Sequence, residues 1–224
     1  MGQAAAAQSP DALYADRARL PSATRAAEAW TSELAKDGAA YEPAWKLARV
    51  CYWLGGHAPE PARRSYLERG ITAARQAALL GPQRPEGHFW AAANMGAVAE
   101  NFGLRAGMKY RVPIRQELEA VLRIDPAFMD GSADRALGRY YFKVPALLGG
   151  SRKRAEQHLR ASLQYSQDST ISRYFLAELL IDQKRLPEAR VELQRVIAAP
   201  LSPEWGPEDR DYRQKAETLL AMLH

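Results

Sequence analysis

One stretch near the C-terminus constrains the fold more than any other: Thr170 to about Leu201 reads as two amphipathic helices with a tight turn between them. Leu176, Ala177 and Leu180 line one side of the first half, and Ala189, Leu193 and Val196 line one side of the second, each at the three-and-four spacing of a helical face. Asp182-Gln183-Lys184-Arg185 forms the turn. Pro187 stands in the first turn of the second helix, where its missing N–H costs nothing, and Glu188 suits the positive end of the helix dipole. Asp168 and Ser169 offer an N-cap to the first helix. The second half of this unit has a small-large-small spacing that recurs upstream with a closing proline: Gly70, Ala74, Ala77 and Pro82, then Ile114, Leu118, Val121 and Pro126. Ala155, Leu159 and Ser162 keep it as well, with Gln167 in place of the proline. A plausible first helix precedes each: Trp45-Ala48-Arg49-Tyr52, His88-Ala91-Ala92-Met95 and Ala133-Ala136-Leu137-Tyr140. A chain of repeated helix pairs, each unable to bury its apolar face alone, stacks into an array.

The Thr170–Leu201 unit closely resembles a tetratricopeptide repeat. The resemblance implies an all-α, right-handed α-solenoid of tetratricopeptide-like helix hairpins, with about eleven helices and a C-terminal capping helix. The expected organisation is a flexible tail over 1–9 and one helical-repeat domain over 10–224. Repeats fall at about 10–40, 41–84, 85–128, 129–169 and 170–203, with a cap at 207–223. Tyr212, Ala216, Leu219, Leu220 and Leu223 share one side of that last helix. The three middle repeats carry extra residues at Gly55–Pro61, Asn101–Lys109 and Val144–Gly150, which are expected to form loops between paired helices.

Pro145-Ala146-Leu147-Leu148-Gly149-Gly150 running into Arg154-Ala155-Glu156 is similar to the T component of periplasmic TRAP transporters, and so is the closing Arg213-Gln214-Lys215-Ala216 stretch. That family comprises divergent tetratricopeptide proteins thought to associate with a solute-binding protein. No lipobox cysteine stands near the start, which departs from that pattern. Leu137-Gly138-Arg139-Tyr140-Tyr141 also resembles a stretch of the eukaryotic regulators of microtubule dynamics.

Residue chemistry points to binding. Catalytic, cofactor and metal sites are expected to be absent: His57, His88, His158 and His224 have no ligand-like spacing to each other or to Cys51, and nothing matches a P-loop or a dinucleotide fingerprint, Gly149-Gly150-Ser151-Arg152-Lys153 being only a weak anion-holding turn. Cys51, the sole cysteine, reads as a buried inert thiol. The net charge of +5, from 31 basic and 26 acidic side chains, is too mild for a dedicated nucleic-acid binder. No run reaches the about 18 apolar residues of a membrane span. The N-terminal Met1–Ser9 stretch fits either the remnant of a removed signal peptide or an ordinary tail, which leaves a periplasmic or secreted location beside a cytoplasmic one.

In tetratricopeptide arrays the first helices line a concave face. Carried over, that register places Lys46, Trp53, Phe89, Asn94, Tyr141 and Tyr174 there as candidate partner- or ligand-binding residues, with ordinary core packing as the alternative for each aromatic. The expected occupant is a partner protein, with a periplasmic solute-binding protein as the specific form. A small apolar molecule in the groove, or in a pore made by self-association, is the second reading, and a homo-oligomer is compatible with either. A basic patch forms the other candidate site: Arg135, Arg139, Lys143, Arg152, Lys153 and Arg154, with no acidic residue between the first and the last. Like charges at four-residue spacing on one helix, and cations in the first turn of the next, cost about 1–2 kcal/mol together. A solvated face and a site for an acidic partner are the two ways to account for them.

Overall fold

Six helices carry a proline as their first or second residue, because proline already holds a helical φ and lacks only an N–H that would go unbonded there. In the computed structural model, which describes residues 8–223, Pro10 opens α1 (Pro10–Ala15), Pro21 opens α2 (Leu20–Lys36) and Pro61 opens α4 (Glu60–Leu80). Pro85 opens α5 (Pro85–Asn101), Pro187 opens α10 (Leu186–Ala198) and Pro207 opens α11 (Gly206–Ala221). Three further caps are serines. Ser9 accepts a bond from the Ala12 N–H at 3.2 Å. Ser151 does so from Arg154 at the head of α8 (Arg152–Tyr165), and Ser169 from Ser172 at the head of α9 (Thr170–Asp182). The remaining helices are α3 (Tyr41–His57), α6 (Leu104–Ile124) and α7 (Phe128–Lys143); every regular element among the described residues is helical.

Helices occupy each segment where one is expected, but two of the three extra segments are mostly helical rather than loops. Gly55-Gly56-His57 continues α3 to 17 residues, and Leu104–Lys109 is the start of α6, which reaches 21. The breaks shrink to two residues each, Ala58-Pro59 after α3 and Phe102-Gly103 after α5, the latter with Gly103 at φ +87°, so the added length is taken up by longer helices. Val144–Gly150 is the one of the three that stays out of an α-helix throughout, with a short 3₁₀ turn at Ala146–Leu148. The expected tail over 1–9 lies outside the described residues up to position 7.

The described residues form two compact units, divided between 110 and 111 inside α6. In the first, α1 packs on α2, α2 on α3, and α3 on both α4 and α5. Its core is built from Trp30, Leu47, Leu54, Leu67, Trp90 and Met95 with a filling of alanines. The small positions of the repeat have a steric purpose: a Cβ on Gly70 would lie 2.3 Å from the Asn94 side chain across the α4/α5 contact. In the second unit, α7 packs on α8, α8 on α9, and α9 on both α10 and α11. Leu137, Leu159, Leu176, Leu180, Leu193, Val196 and Ala216 form its core. The repeat residues Ala155, Leu159, Ala189, Leu193 and Val196 are all fully buried there, so the spacing in the sequence is the spacing of the core.

Candidate functional site

Lys46, on α3, is held by two carboxylates, Asp11 of α1 at 3.0 Å and Glu42 of its own helix at 3.1 Å. Burial works against its charge, but the two carboxylates outweigh that and hold the ammonium above the usual lysine range. Beside it the Arg49 and Arg17 guanidiniums lie 3.9 and 4.6 Å from the Tyr14 ring centre. These contacts fasten α1 to α3 by charge and cation–π attraction. Trp53 is buried, donates its ring N–H to the Arg17 carbonyl at 2.9 Å and stacks on His57. Phe89 is buried edge-on against Trp90. Asn94 has no exposed surface; its NH2 group donates to the carbonyls of Ala48 at 3.1 Å and Trp90 at 2.8 Å, joining α5 to α3. Cys51 is also sealed, and burial pushes its thiol up to about 12, which removes the reactive thiolate.

In the second unit Tyr141 is buried and stacked on His158, whose Nδ1 lies 2.7 Å from Asp134. Tyr174 is placed differently. It packs on Tyr212 of α11 and opens on a groove of about 400 Å³ between α9 and α11, lined also by Asp211, Gln214, Lys215, Thr218, Leu219 and Met222. Of the six residues expected on a binding face, Tyr174 alone borders this groove. The groove's other residues come from the last helix, where Lys215, Leu219 and Met222 at three-and-four spacing are the sequence signal for it.

The basic patch is partly answered within the fold. Arg139 pairs with Glu178 of α9, and Arg152 makes two bonds, at 2.7 and 3.2 Å, to Asp182 one turn further along. The Arg152 bond holds the Asp182 carboxyl below the usual range, with Lys143 contributing. Arg154 lies 5.5 Å over the Tyr141 ring and Lys143 5.0 Å over Phe142. Arg135, Arg139 and Lys143 descend α7, and Lys153 stands in the exposed first turn of α8.

Three polar clusters lie outside the residues singled out from the sequence. Arg173 and Glu192 form a buried pair at 2.5 Å between α9 and α10. Asp209 accepts bonds from Thr170 at 2.6 Å and from the Ser202 N–H at 2.8 Å, pinning α11 to α9. Glu156 of α8 is bonded by Arg160 and by Arg185 of the α9/α10 turn, both at 2.8 Å. Among the described residues no three His, Cys, Asp or Glu side chains converge as a metal set, and no helix is long and apolar enough to cross a membrane.

The family model described as regulator of microtubule dynamics protein 1-3 matches residues 8–159, and a tetratricopeptide-repeat model matches residues 146–206. A solved structure of a thermophilic tetratricopeptide protein from Thermus thermophilus is similar over 95% of this chain and 96% of its own, with a TM-score of 0.70 and 21% identity. That likeness shows the fold: a solenoid class of helical hairpins, all α. No curated protein matches.

Proposed function

This chain belongs to the regulator of microtubule dynamics protein 1-3 family, whose model matches about two thirds of its length, and from that premise we propose that it is a non-catalytic scaffold that holds a partner protein. The observation that carries the proposal is the α9/α11 groove, where Tyr174, Leu219 and Met222 supply apolar surface and Asp211 and Lys215 supply opposite charges. An apolar floor with a few polar groups at its edge suits a short segment of another chain. The other five residues expected at a binding face have their side chains occupied by neighbours, as described for Lys46, Trp53, Phe89, Asn94 and Tyr141. The small-molecule reading would need Trp53, Phe89 and Tyr141 to face a ligand, and their rings are packed on His57, Trp90 and His158 instead.

The family's name speaks of microtubules, and a cytoskeletal partner is one form the proposal takes. The narrower reading, an accessory of a periplasmic solute transporter, rests only on the Pro145–Gly150 turn and the last helix. A periplasmic or secreted location goes with that reading, and a cytoplasmic one with the other. The test is affinity capture from a lysate of the source organism with the wild-type chain and with a Tyr174→Ala/Met222→Asp variant, read by mass spectrometry. A protein captured by the first and lost from the second supports the groove; equal capture by both refutes it. A periplasmic solute-binding protein among those lost would establish the transporter form, and only cytoplasmic proteins would remove it.

A further inference from the structure

The turn between α7 and α8 places a leucine where water would be expected to exclude one. Leu147 is fully exposed, at the tip of the 3₁₀ turn, with Pro145 and Ala146 exposed beside it. This is not a slack loop. The N–H groups of Leu148 and Gly150 both bond to the Pro145 carbonyl, Ser151 N–H bonds to the Tyr141 carbonyl, and Arg111 of α6 donates to the Leu148 carbonyl. Gly149 sits at φ +98°, and a Cβ on Gly150 would lie 1.7 Å from the Val144 carbonyl oxygen, so the backbone course is fixed by residues that only glycine can supply. A rigid frame thus holds an apolar tip outward.

The two helix ends that form the base of this tip are cationic. Lys143 closes α7, and Arg152, Lys153 and Arg154 open α8; of the nearby carboxylates, Asp182 binds Arg152 and is also lowered by Lys143, and Glu156, one turn further along α8, is bonded by Arg160 and Arg185, which leaves the two ends net positive. From the tip inward the order is therefore apolar side chain, then positive charge. An anionic lipid surface has the complementary order, with charge at the headgroups and hydrocarbon beneath. The tip is convex, and the grooves along α9/α11 and among α8, α9 and α10 are lined by other residues. A protein partner would have to supply a pocket and bury about 800 Å² of this chain, far more than three tip residues offer.

We propose that the Pro145–Gly150 turn docks on anionic membrane surfaces, with Leu147 entering the headgroup–acyl boundary while Lys143 and Lys153 engage the lipid charge. The chain then lies on the bilayer and does not cross it. This is independent of the α9/α11 groove, and either can fail alone.

The test uses the full chain carrying Leu147→Cys labelled with an environment-sensitive NBD dye. Cys51 is buried and its thiol is held protonated, so labelling is confined to the new site. The probes are vesicles of phosphatidylcholine mixed with phosphatidylserine and vesicles of phosphatidylcholine alone. Expected are a blue shift with the mixed vesicles only, its reversal by high salt, and no shift from a dye at Leu79→Cys, an exposed leucine of the first unit. In flotation of unlabelled protein, Leu147→Asp lowers vesicle affinity about tenfold, and Lys143→Ala and Lys153→Ala lower it about fivefold each. Because these side chains are exposed, the variants keep wild-type circular dichroism. Absence of binding to the mixed vesicles, or binding that Leu147→Asp leaves unchanged, overturns the proposal.

Discussion

Replacing Gly70 by alanine tests whether the small positions of the repeat are set by packing or only by tolerance. Gly70 lies inside α4, and alanine in an unencumbered helix interior stabilises by about 0.5–1 kcal/mol relative to glycine. Here the new Cβ would stand 2.3 Å from Asn94 Oδ1, 2.6 Å from Cγ and 2.9 Å from Nδ2. The amide cannot retreat at no cost, since it is fully buried and bound to the Ala48 and Trp90 carbonyls. Overpacking costs about 1–3 kcal/mol, and weakening bonds to buried carbonyls about 1–3 kcal/mol more. Less the helix-propensity gain, the net expectation is a loss of about 1–5 kcal/mol, the opposite sign to the helix propensity. Gly96→Ala is the control: it lies inside α5 with no atom within 4 Å of the new Cβ, and is expected to gain about 0.5–1 kcal/mol. Urea unfolding followed by circular dichroism reads both changes from the midpoint at unchanged slope. The Gly70→Ala/Asn94→Ala double variant should be less destabilised than the sum of its parts, because removing the amide makes room for the methyl. If Gly70→Ala stabilises as Gly96→Ala does, or if the two costs simply add, the steric reasoning is wrong.

Glu192→Gln leaves the buried Arg173 guanidinium without its carboxylate and should cost about 3 kcal/mol, while Arg173→Met with Glu192→Met should recover much of it; thermal unfolding distinguishes the two. Asp209→Ala strips the acceptor from the buried Thr170 hydroxyl and the Ser202 N–H, with an expected loss of about 2–3 kcal/mol and faster amide exchange in α11 before the rest of the unit. Glu156 is pushed upward by burial but held on balance below the usual glutamate range by Arg185 and Arg160. A lowered folded pKa means the unfolded chain binds the proton first, so this contribution is complete above about pH 4.3 and fades as pH falls through the folded value. Urea midpoints measured from about pH 6 to pH 3 should therefore fall less steeply in Glu156→Gln than in wild type, and parallel curves would count against the pairing.

The hairpins are legible because what sets them is local. Pro187, Ser169 and the Ala189-Leu193-Val196 spacing each act within one helix or one turn, and each occupies its expected place. Segment length is harder to read for a physical reason of the same kind. Gly55-Gly56 and Gly103 look alike as breakers, but of the three only Gly103 adopts a positive φ; the pair stays within α3, where a Cβ on Gly55 would lie 2.3 Å from the Leu67 side chain and one on Gly56 would meet open space. A glycine required by packing and one required by a turn leave the same letter in the sequence.

Candidate sites depend on partners far along the chain, and there local reasoning loses its hold. Asn94 reads as a polar group available to a ligand, but its partner Ala48 is 46 positions away, and burial makes that bond a structural obligation. The basic run reads as repulsion or invitation when only α7 and α8 are considered. Glu178 and Asp182, one turn apart on α9, satisfy Arg139 and Arg152 from outside that window. This pairing divides the patch in two, and the division is the useful result. Arg139 and Arg152 are occupied in holding α7 and α8 against α9. Lys143, whose charge also helps hold the Asp182 carboxyl, and the exposed Lys153 flank Leu147, so positive charge lies beside the apolar residue that the fold does not bury.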